Sequence, residues 1–433
     1  MIERSAVYLN IVPLLADLVP DWGFEGWDDA ISEDTQLIDH LNLTSVDFID
    51  LFVAIEKAFG RTFGFHDLLM VDGRYIADLT LGQLTDFLVS RINSNVREAP
   101  QRLPGDNRSI GPAAPCLDAD TIGRFHAIIP RPEECGLTGG KNARAIFVLT
   151  APRSGSTLLQ TILAGHPTLF APPELHLLWF RDLGRRRLAL QCDGNRHLIS
   201  GAIRAIMELD GLTVDQATDF LGQCEEQSMS VSEFYALLQR RLGSRLLVDK
   251  TPANAYSLEV LMRAERDFDN PLYLHLVRHP CGMARSFIEA KLERTAPFML
   301  RHESEFTRQQ FAELAWLTCN RNISTFLQGI PAERQHRICF EDLVGSPTLT
   351  LQTICNFLGL DFYPEMLDPY QDKRRRMADG LTITSEMSGD LKFHLHTRIE
   401  SEVAQRWQRF MSEDEMSDQT WLLAETLGCS KGA

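Results

Sequence analysis

Residues 145–163 have the sequence AIFVLTAPRSGSTLLQTIL, which decides the fold of this 433-residue chain. The first six residues are apolar and β-rich, which predicts a buried strand that ends at Thr150. A short loop containing Gly155 follows, and an apolar stripe at helical spacing begins at Leu158. The first turn of such a helix presents unpaired backbone N–H groups, which together with the helix dipole favour an anion. The stretch therefore predicts an anion pocket between strand and helix.

The loop itself supplies further groups for an anion. Its candidate binding residues are Arg153, Ser154, Gly155, Ser156 and Thr157. The arginine adds a forked cationic donor, and the hydroxyls add hydrogen bonds. The GxxxxGK[ST] sequence of ATP-hydrolysing loops is absent, which disfavours a nucleotide kinase. The alternative interpretation is an ordinary turn in which Ser156 caps the helix.

Three further β-rich runs lie beyond this stretch, at 246–248, 272–277 and 337–340. Each is followed by polar residues and then by a helical pattern. Short strands that alternate with helices predict an α/β fold, with a parallel sheet and flanking helices. Because ligands of such sheets bind beyond the carboxyl ends of the strands, we expect functional residues directly after these runs.

The distribution of charge divides the chain. Residues 1–100 carry 17 acidic and 6 basic side chains, whereas the remainder carries 42 and 37. We predict a small helical domain over 1–95, a linker rich in proline and charge over 96–120, and a larger domain over 121–433. The balance of charge lacks the basic excess that nucleic-acid binding requires, so no nucleic-acid partner is expected.

The cysteines, the histidines and the apolar runs of the chain indicate its cellular compartment and whether it binds a metal. The nine cysteines are scattered without a CxxC pair, which favours reduced thiols. The N-terminus is a poor signal peptide, and no apolar run approaches the ~20 residues that span a bilayer. We therefore expect a cytoplasmic protein without a membrane span. The twelve histidines form no HExxH or paired Cys/His spacing, so no metal site is expected.

Four motifs occur in the order seen in sulfotransferases that use 3'-phosphoadenosine 5'-phosphosulfate (PAPS), and they resemble the motifs of that family. They are TAPRSGSTLL at 150–159, LHLVRHPCGMARSF at 274–287, ICFEDLVGSPTLTLQTICNFLGL at 338–360 and SGDLKF at 388–393. The first resembles the 5'-phosphosulfate loop of the family, and the second resembles its 3'-phosphate motif. The resemblance implies the P-loop-like sulfotransferase fold, with PAPS as donor and adenosine 3',5'-bisphosphate as product. It also implies that Arg278 and Ser286 bind the nucleotide.

The same resemblance implies catalytic roles. Related enzymes carry an acidic residue in the loop after the first helix, here Glu174, which is predicted to take the proton of the acceptor hydroxyl. His176 is a substrate contact or a second candidate base. Lys250 resembles a lysine that stabilises charge on the sulfuryl group and on the leaving oxygen. Arg153 is also a candidate catalytic residue. His394 is an alternative candidate base, because histidine can take up a proton near neutral pH.

Residues 37–60, LIDHLNLTSVDFIDLFVAIEKAFG, form a second pattern. A helix is predicted over Ser45–Phe59, because one face is apolar and consists of Phe48, Phe52, Ile55 and Phe59. The segment resembles the loop and second helix of acyl carrier proteins, which implies 4'-phosphopantetheine on Ser45, attached by a phosphopantetheinyl transferase. Thr44 stands where that family has aspartate. The alternative is a serine that caps a helix in an unrelated bundle.

A small all-α carrier bundle followed by a sulfotransferase resembles the terminal part of curacin-type polyketide synthases and olefin synthases. The resemblance implies sulfation of the β-hydroxyl of a carrier-bound 3-hydroxyacyl chain, which activates the chain for elimination to a terminal alkene. The implied partners are an acyl chain on a carrier, an upstream polyketide synthase module and a separate thioesterase, since the chain ends soon after the motifs. Two alternatives stay open. One is a free-standing sulfotransferase for a small-molecule, lipid or sugar alcohol, with the carrier-like domain serving only for docking; the other is a non-catalytic scaffold.

Overall fold

The structure is a computed structural model, and it divides into two compact units, Met1–Ile110 and Gly111–Ala433. The described residues are 4–18, 31–37, 41, 51–93 with gaps, 117–134, 140–190, 196–290, 292, 306–378, 396–429 and 431. The linker predicted over 96–120 lies almost wholly outside them, so its boundaries stay predictions. Within the described part, no helix is both long and apolar enough to cross a membrane.

Within its described residues, the first unit contains two longer helices and a short antiparallel hairpin. The helices are α1 (Arg4–Leu18) and α2 (Leu81–Asn93), and the hairpin pairs β1 (Met70–Val71) with β2 (Arg74–Tyr75). The helical pattern of the sequence did not predict the hairpin.

The predicted helix over Ser45–Phe59 is helical at the described positions 51–52, 54–56 and 58–59. Phe52 and Ile55 are buried, as their place on the apolar face requires, and the ring of Phe52 stacks on Phe65 with centroids 3.9 Å apart. The other predicted features of this segment lie outside the described residues: Thr44, Ser45 and Phe48.

Five parallel strands form the sheet of the second unit. In chain order they are β3 (Ile146–Thr150), β4 (Leu169–Phe170), β5 (Leu246–Lys250), β6 (Leu272–Val277) and β7 (Gln335–Cys339). Their order across the sheet is β4–β5–β3–β6–β7, with β3 at the centre. In the register, Val148 pairs with Lys250, and Thr150 pairs with Leu276. The loops that follow β3, β5 and β6 therefore open at the same edge of the sheet.

Helices account for most of the rest of the second unit. They are α3 (Ala119–Ile128), α4 (Ser156–Ala164), α5 (Leu183–Leu190), α6 (Ser200–Asp210), α7 (Val214–Glu226), α8 (Val231–Arg241), α9 (Leu258–Asp267), α10 (Pro280–Glu289), α11 (Arg308–Leu327), α12 (Phe340–Gly345), α13 (Pro347–Leu358) and α14 (Asp418–Thr426). Short 3₁₀ turns lie at Arg196–Ile199, Pro252–Tyr256, Ala332–Arg334, Pro364–Leu367, Ser401–Ala404, Arg406–Arg409 and Glu413–Glu415. Capping boxes start three of the longer helices, because Thr213, Ser230 and Thr307 each accept a hydrogen bond from the third residue of the helix that follows.

Apolar side chains cover both faces of the sheet, as expected for parallel strands. All five residues of β3 are buried. Phe147 and Leu149 point into the larger core, together with Trp316 of α11, whereas Ile146 and Val148 point into the smaller core on the other face. Each such side chain contributes about 1.5–3 kcal/mol when it is fully buried. This burial fixes β3, and so the loop after it, at the centre of the second unit.

The predicted α/β fold is confirmed, and the bounds of the strands differ only slightly from prediction. The run 272–277 is a strand over its full length. The run at 246–248 continues to Lys250, and the last strand ends at Cys339, so that Phe340 opens a helix. β4 was not predicted, because two residues are too short to produce a recognisable pattern.

Candidate active site

The loop between β3 and α4 has the conformation that an anion-binding loop needs. Gly155 has φ +87°, and Arg153 has φ +61°. Such left-handed backbone costs little for glycine, whereas other residues lose about 1–2 kcal/mol. Ser156 is the first helical residue, so the interpretation of Ser156 as a helix cap is wrong; Gly155 holds that position, without a side-chain hydrogen bond.

Gly155 also permits a close approach by Phe340, the first residue of α12. A Cβ atom at position 155 would lie 2.3 Å from Cδ2 of the Phe340 ring, well inside van der Waals contact. The ring of Phe340 therefore packs directly on the backbone of the loop, and only glycine fits beneath it.

Three of the predicted nucleotide-binding residues meet at this loop. Arg278 follows β6, and its Nη1 donates a hydrogen bond to the carbonyl oxygen of Arg153 at 3.0 Å. Nε of Arg153 donates to Oγ of Ser286, on α10, at 3.3 Å. The contacts form because β3 and β6 are neighbours, which brings the residues after Thr150 and Val277 to the same edge.

Contacts to its guanidinium and to the neighbouring backbone hold Arg278 in place. Its Cζ lies 4.4 Å from the centre of the Phe340 ring, a cation–π distance. Nε1 of Trp316 donates to the carbonyl oxygen of Arg278 at 2.9 Å. The carboxylate of Glu341 accepts the backbone N–H of His279 at 3.0 Å. The strand end that carries Arg278 is therefore fixed before any ligand binds.

His279 links this strand end to the C-terminal part of the chain. Its ring stacks on Trp407, with centroids 4.4 Å apart and planes 12° apart. Burial lowers the pKa of His279 to about 4, although Glu413 partly offsets it. The imidazole is therefore neutral at physiological pH and adds no positive charge beside Arg278.

A cleft of about 130 Å³, partly open to solvent, lies over the loop. The lining residues include Arg153, Ser156, Thr157, Arg278, His396 and Trp407. Two further arginines, Arg285 and Arg406, also line it. The cleft combines cationic, hydroxyl and aromatic groups, as a nucleotide site requires.

The residues present fit PAPS, which carries anionic groups at its 3' and 5' positions. Oγ of Ser154 is buried and has no hydrogen-bond partner within the described part of the chain. Gly155 and Phe340 both line the cleft, and the absence of a side chain at position 155 lets the ring lie against the loop backbone. Arg153, Arg278 and Ser286 would hold the two anionic ends.

Glu174 and Lys250 form an ion pair at the end of β5. Nζ of Lys250, which is 1% exposed, donates to Oε1 of Glu174 at 2.8 Å. Nε2 of His176 lies 3.1 Å from the second carboxylate oxygen, Oε2. Burial alone would raise the pKa of Glu174, but the Lys250 ammonium and the His176 ring outweigh it and lower that pKa to about 2. The three residues are therefore one coupled group.

A second buried carboxylate lies beside this group. The hydroxyls of Tyr235 and Thr251 both donate to Asp249, the residue before Lys250, and the Thr251 distance is 2.8 Å. Burial raises the pKa of Asp249, and these two hydrogen bonds partly offset the rise. They hold β5 and the turn after it in place behind Lys250.

Comparison with known proteins agrees with this geometry. Residues 145–365 match the model of the sulfotransferase family. The chain belongs to this family. It is an enzyme of the sulfotransferase class, and the use of PAPS is typical of the family.

Two solved structures are similar to this sulfotransferase over nearly their whole length. The sulfotransferase domain from the Synechococcus PCC 7002 olefin synthase is 35% identical with a TM-score of 0.60, covering 68% of this chain and 98% of that domain. The sulfotransferase domain from the curacin biosynthetic pathway is 34% identical with a TM-score of 0.60, covering 67% and 99%. The nodulation protein NoeE of Sinorhizobium fredii (strain NBRC 101917 / NGR234) is 28% identical over 232 residues. The chain spans about half the length of that curated relative, and the match covers half of this chain.

Some predicted residues of the sulfotransferase lie outside the described part, namely His394 and the motif at 388–393. His396, two positions after His394, lines the cleft, and its Nδ1 lies 3.6 Å from a carboxylate oxygen of Glu400. Among the described residues, no three His, Cys, Asp or Glu side chains form a group suited to a metal ion.

Other residues of the site were missed by sequence reasoning. Phe340 lies within the motif at 338–360, but nothing in the sequence indicates its contact with Gly155. Trp407 and Arg406 lie in a segment without regular periodicity. A tryptophan in such a polar segment is the signal that could have indicated a ligand contact.

Proposed function

We propose that this enzyme transfers the sulfuryl group of PAPS to the β-hydroxyl of a 3-hydroxyacyl chain carried on phosphopantetheine. The observation that carries the proposal is the 35% identity to a sulfotransferase domain of an olefin synthase, which extends over 98% of that domain. The similarity to the domain from the curacin pathway supports the same substrate class. The sulfate ester is a better leaving group than hydroxide, so the product would be ready for elimination to an alkene.

On the donor side, the residues of the loop hold the nucleotide. Backbone N–H groups at the start of α4 and the guanidinium of Arg153 bind the 5' end, while Arg278 and Ser286 bind the 3'-phosphate. Bound PAPS supplies the sulfuryl group, and adenosine 3',5'-bisphosphate is the other product. The ammonium of Lys250 neutralises charge that develops on the sulfuryl oxygens and the leaving oxygen during transfer.

On the acceptor side, Glu174 and His176 are the candidate proton acceptors. The acceptor oxygen forms a bond to sulfur as the bond from sulfur to the leaving phosphate oxygen breaks, and the hydroxyl proton passes to Glu174 or His176. A carboxylate with a pKa of about 2 is a weak base, and Lys250 is a main reason for that low pKa. When Lys250 turns toward the sulfuryl group, Glu174 loses this partner and becomes more basic. Donor binding would thereby prepare the base.

The test measures transfer of labelled sulfate from PAPS by the full chain. The acceptors are a 3-hydroxyacyl chain on a carrier, the same chain without its hydroxyl, and a free 3-hydroxy acid. We expect label only on the first. Glu174→Gln should lower kcat by about 10²–10⁴, whereas the exposed control Glu226→Gln should leave it unchanged.

Other outcomes would overturn the proposal. Label on the free alcohol but not on the carrier-bound chain would favour a small-molecule sulfotransferase with a docking domain. No label on any alcohol, with adenosine 3',5'-bisphosphate still binding, would favour a scaffold.

A separate experiment tests the self-loaded version, in which Ser45 carries the acyl chain. The purified chain is incubated with coenzyme A and a phosphopantetheinyl transferase and then weighed by mass spectrometry. We expect the mass of one phosphopantetheine, absent in Ser45→Ala. An unchanged mass would leave the acceptor on a carrier supplied by another protein. A tether of this kind raises the local concentration of acceptor toward the millimolar range.

A further inference from the structure

The loop that carries Glu174 and His176 is held in an unfavourable conformation. It runs from Ala171 to Phe180, between β4 and α5, and nearly all of its residues are buried. His176 has φ +49°, in the left-handed region that residues other than glycine seldom adopt. Such a conformation persists only where the surroundings determine it. The contacts that hold this loop therefore also determine where the Glu174 and His176 side chains lie.

One buried arginine donates to two adjacent carbonyl oxygens of this loop. Arg186, in α5, is 0% exposed, and its Nε donates to the carbonyl oxygens of Leu175 at 3.1 Å and His176 at 3.2 Å. Its Nη2 donates to the carbonyl oxygen of Leu198 at 3.3 Å. Burial lowers the pKa of Arg186 to about 10, with Glu225 partly offsetting it, so the guanidinium stays charged at physiological pH. Its Nη1 has no hydrogen-bond partner among the described residues, so three carbonyl oxygens supply the hydrogen bonds of this buried charge.

The start of α6 holds the same loop from another side. A Cβ atom on Gly201 would lie 2.0 Å from the carbonyl oxygen of Glu174, so the helix backbone rests directly on that residue. Gly201 lies three positions after Leu198, the third acceptor of Arg186. The guanidinium thus joins the loop to the segment that leads into α6, and α6 in turn packs on Glu174.

We infer that Arg186 is a positioning residue for proton transfer, which sets the orientation of Glu174 and His176 through the backbone between them. This role rests on the proposed function, since it assigns the loop to the acceptor side. It implies that Arg186 acts on the rate of transfer and on the contact between the His176 ring and Glu174, and that it leaves the loop between β3 and α4, with its partners on β6 and α10, unaffected.

The test compares Arg186→Lys with Arg185→Met in the full chain. Lysine keeps the charge but lacks the planar fork that spans two carbonyl oxygens and reaches a third. Arg185 is a neighbour on α5 that is 55% exposed, and it serves as the control. We expect Arg186→Lys to lower kcat for sulfate transfer by about 10–100-fold, with the KM for PAPS and the affinity for adenosine 3',5'-bisphosphate within about twofold. Arg185→Met should match the wild type.

A second variant tests the same inference if Arg186→Lys does not fold. Gly201→Ala should also lower kcat at constant nucleotide affinity, whereas Gly123→Ala, where an added Cβ meets nothing within 4 Å, should not. Equal losses of kcat and nucleotide affinity in both Arg186→Lys and Gly201→Ala would indicate a general structural role and overturn the inference, as would an unchanged kcat.

A readout without activity separates this inference from the proposed function. In protein labelled at histidine, the His176 signal, assigned by its loss in His176→Asn, is recorded by NMR at one pH in the wild type and in Arg186→Lys. We expect its chemical shift to move, because the contact of its ring with Glu174 changes. An unmoved signal overturns the positioning role. A moved signal in an enzyme that does not sulfate carrier-bound alcohols would refute the proposed function alone.

Discussion

Replacing Lys250 by methionine should produce a loss of stability that depends on pH. Methionine fills a similar volume but removes the ammonium 2.8 Å from Glu174. At an effective dielectric constant of about 20, the attraction across this distance is about 6 kcal/mol before the cost of burial. Lowering the pKa of Glu174 from 4.5 to about 2 corresponds to a net preference for the charged form of about 3 kcal/mol. Removing one partner of a buried pair costs about 3–5 kcal/mol, in agreement with this figure.

The direction of the pH dependence follows from the two pKa values. In the wild type the pKa of Glu174 is below that of the unfolded chain, so the stabilisation is complete above 4.5 and is lost as the pH falls toward 2. In Lys250→Met, burial is no longer balanced by the ammonium, and the pKa of Glu174 rises above 4.5. The variant then loses stability as the pH rises through this higher value, because a buried carboxylate without its cation must ionise.

The assay is urea unfolding of the full chain, followed by tryptophan fluorescence, since four of the six tryptophans lie in residues 111–433. The free energy of unfolding of Lys250→Met should lie about 3 kcal/mol below the wild type near pH 5, where the wild-type stabilisation is already complete, and at least about 1 kcal/mol further below it near pH 8. Adding Glu174→Gln should recover more than half of the loss near pH 8. The exposed control Lys141→Met should differ by less than about 0.5 kcal/mol at either pH. A difference that is equal at both pH values would refute the reasoning.

The remaining predictions concern the nucleotide cleft. Gly155→Ala should weaken binding of adenosine 3',5'-bisphosphate in calorimetry by at least about tenfold, because it combines a φ of +87° with a Cβ 2.3 Å from the Phe340 ring; the exposed control Gly123→Ala should keep wild-type affinity. Arg278→Lys should weaken the same binding by about 10–100-fold, since lysine cannot both donate to the loop and lie flat on Phe340; retained affinity would show that charge alone suffices. Binding of the nucleotide should change tryptophan fluorescence, and Trp407→Phe should remove most of that change, because Trp407 lines the cleft; an undiminished signal would place the nucleotide elsewhere.

The loop between β3 and α4 could be predicted because its signals are local. Strand, glycine and helix follow one another within residues 145–163, and the same chain segment supplies the N–H groups and hydroxyls of the candidate pocket. Arg278 and Ser286 were selected through the family resemblance of one strand–helix segment, and their binding of a nucleotide stays a prediction. The ion pair of Glu174 with Lys250 was not predicted, because 76 residues separate the two and each was assigned its role separately.

Other parts of the site had no local signal. β4 is two residues long, and the contacts of Arg186 are to carbonyl oxygens, which no sequence pattern encodes. The low pKa of Glu174 likewise depends on distances to Lys250 and His176, together with burial, and none of these is a property of the segment around Glu174 alone.

By itself, the sequence determined the parallel sheet and the strand, glycine loop and helix at its centre, because apolar periodicity and turn residues act over a few neighbouring positions. Only the tertiary structure decided which ring closes on Gly155, which cation holds Glu174 ionised and which arginine fixes the loop around His176. These depend on side chains and carbonyl groups from distant parts of the chain, and packing brings them within a few ångströms of one another.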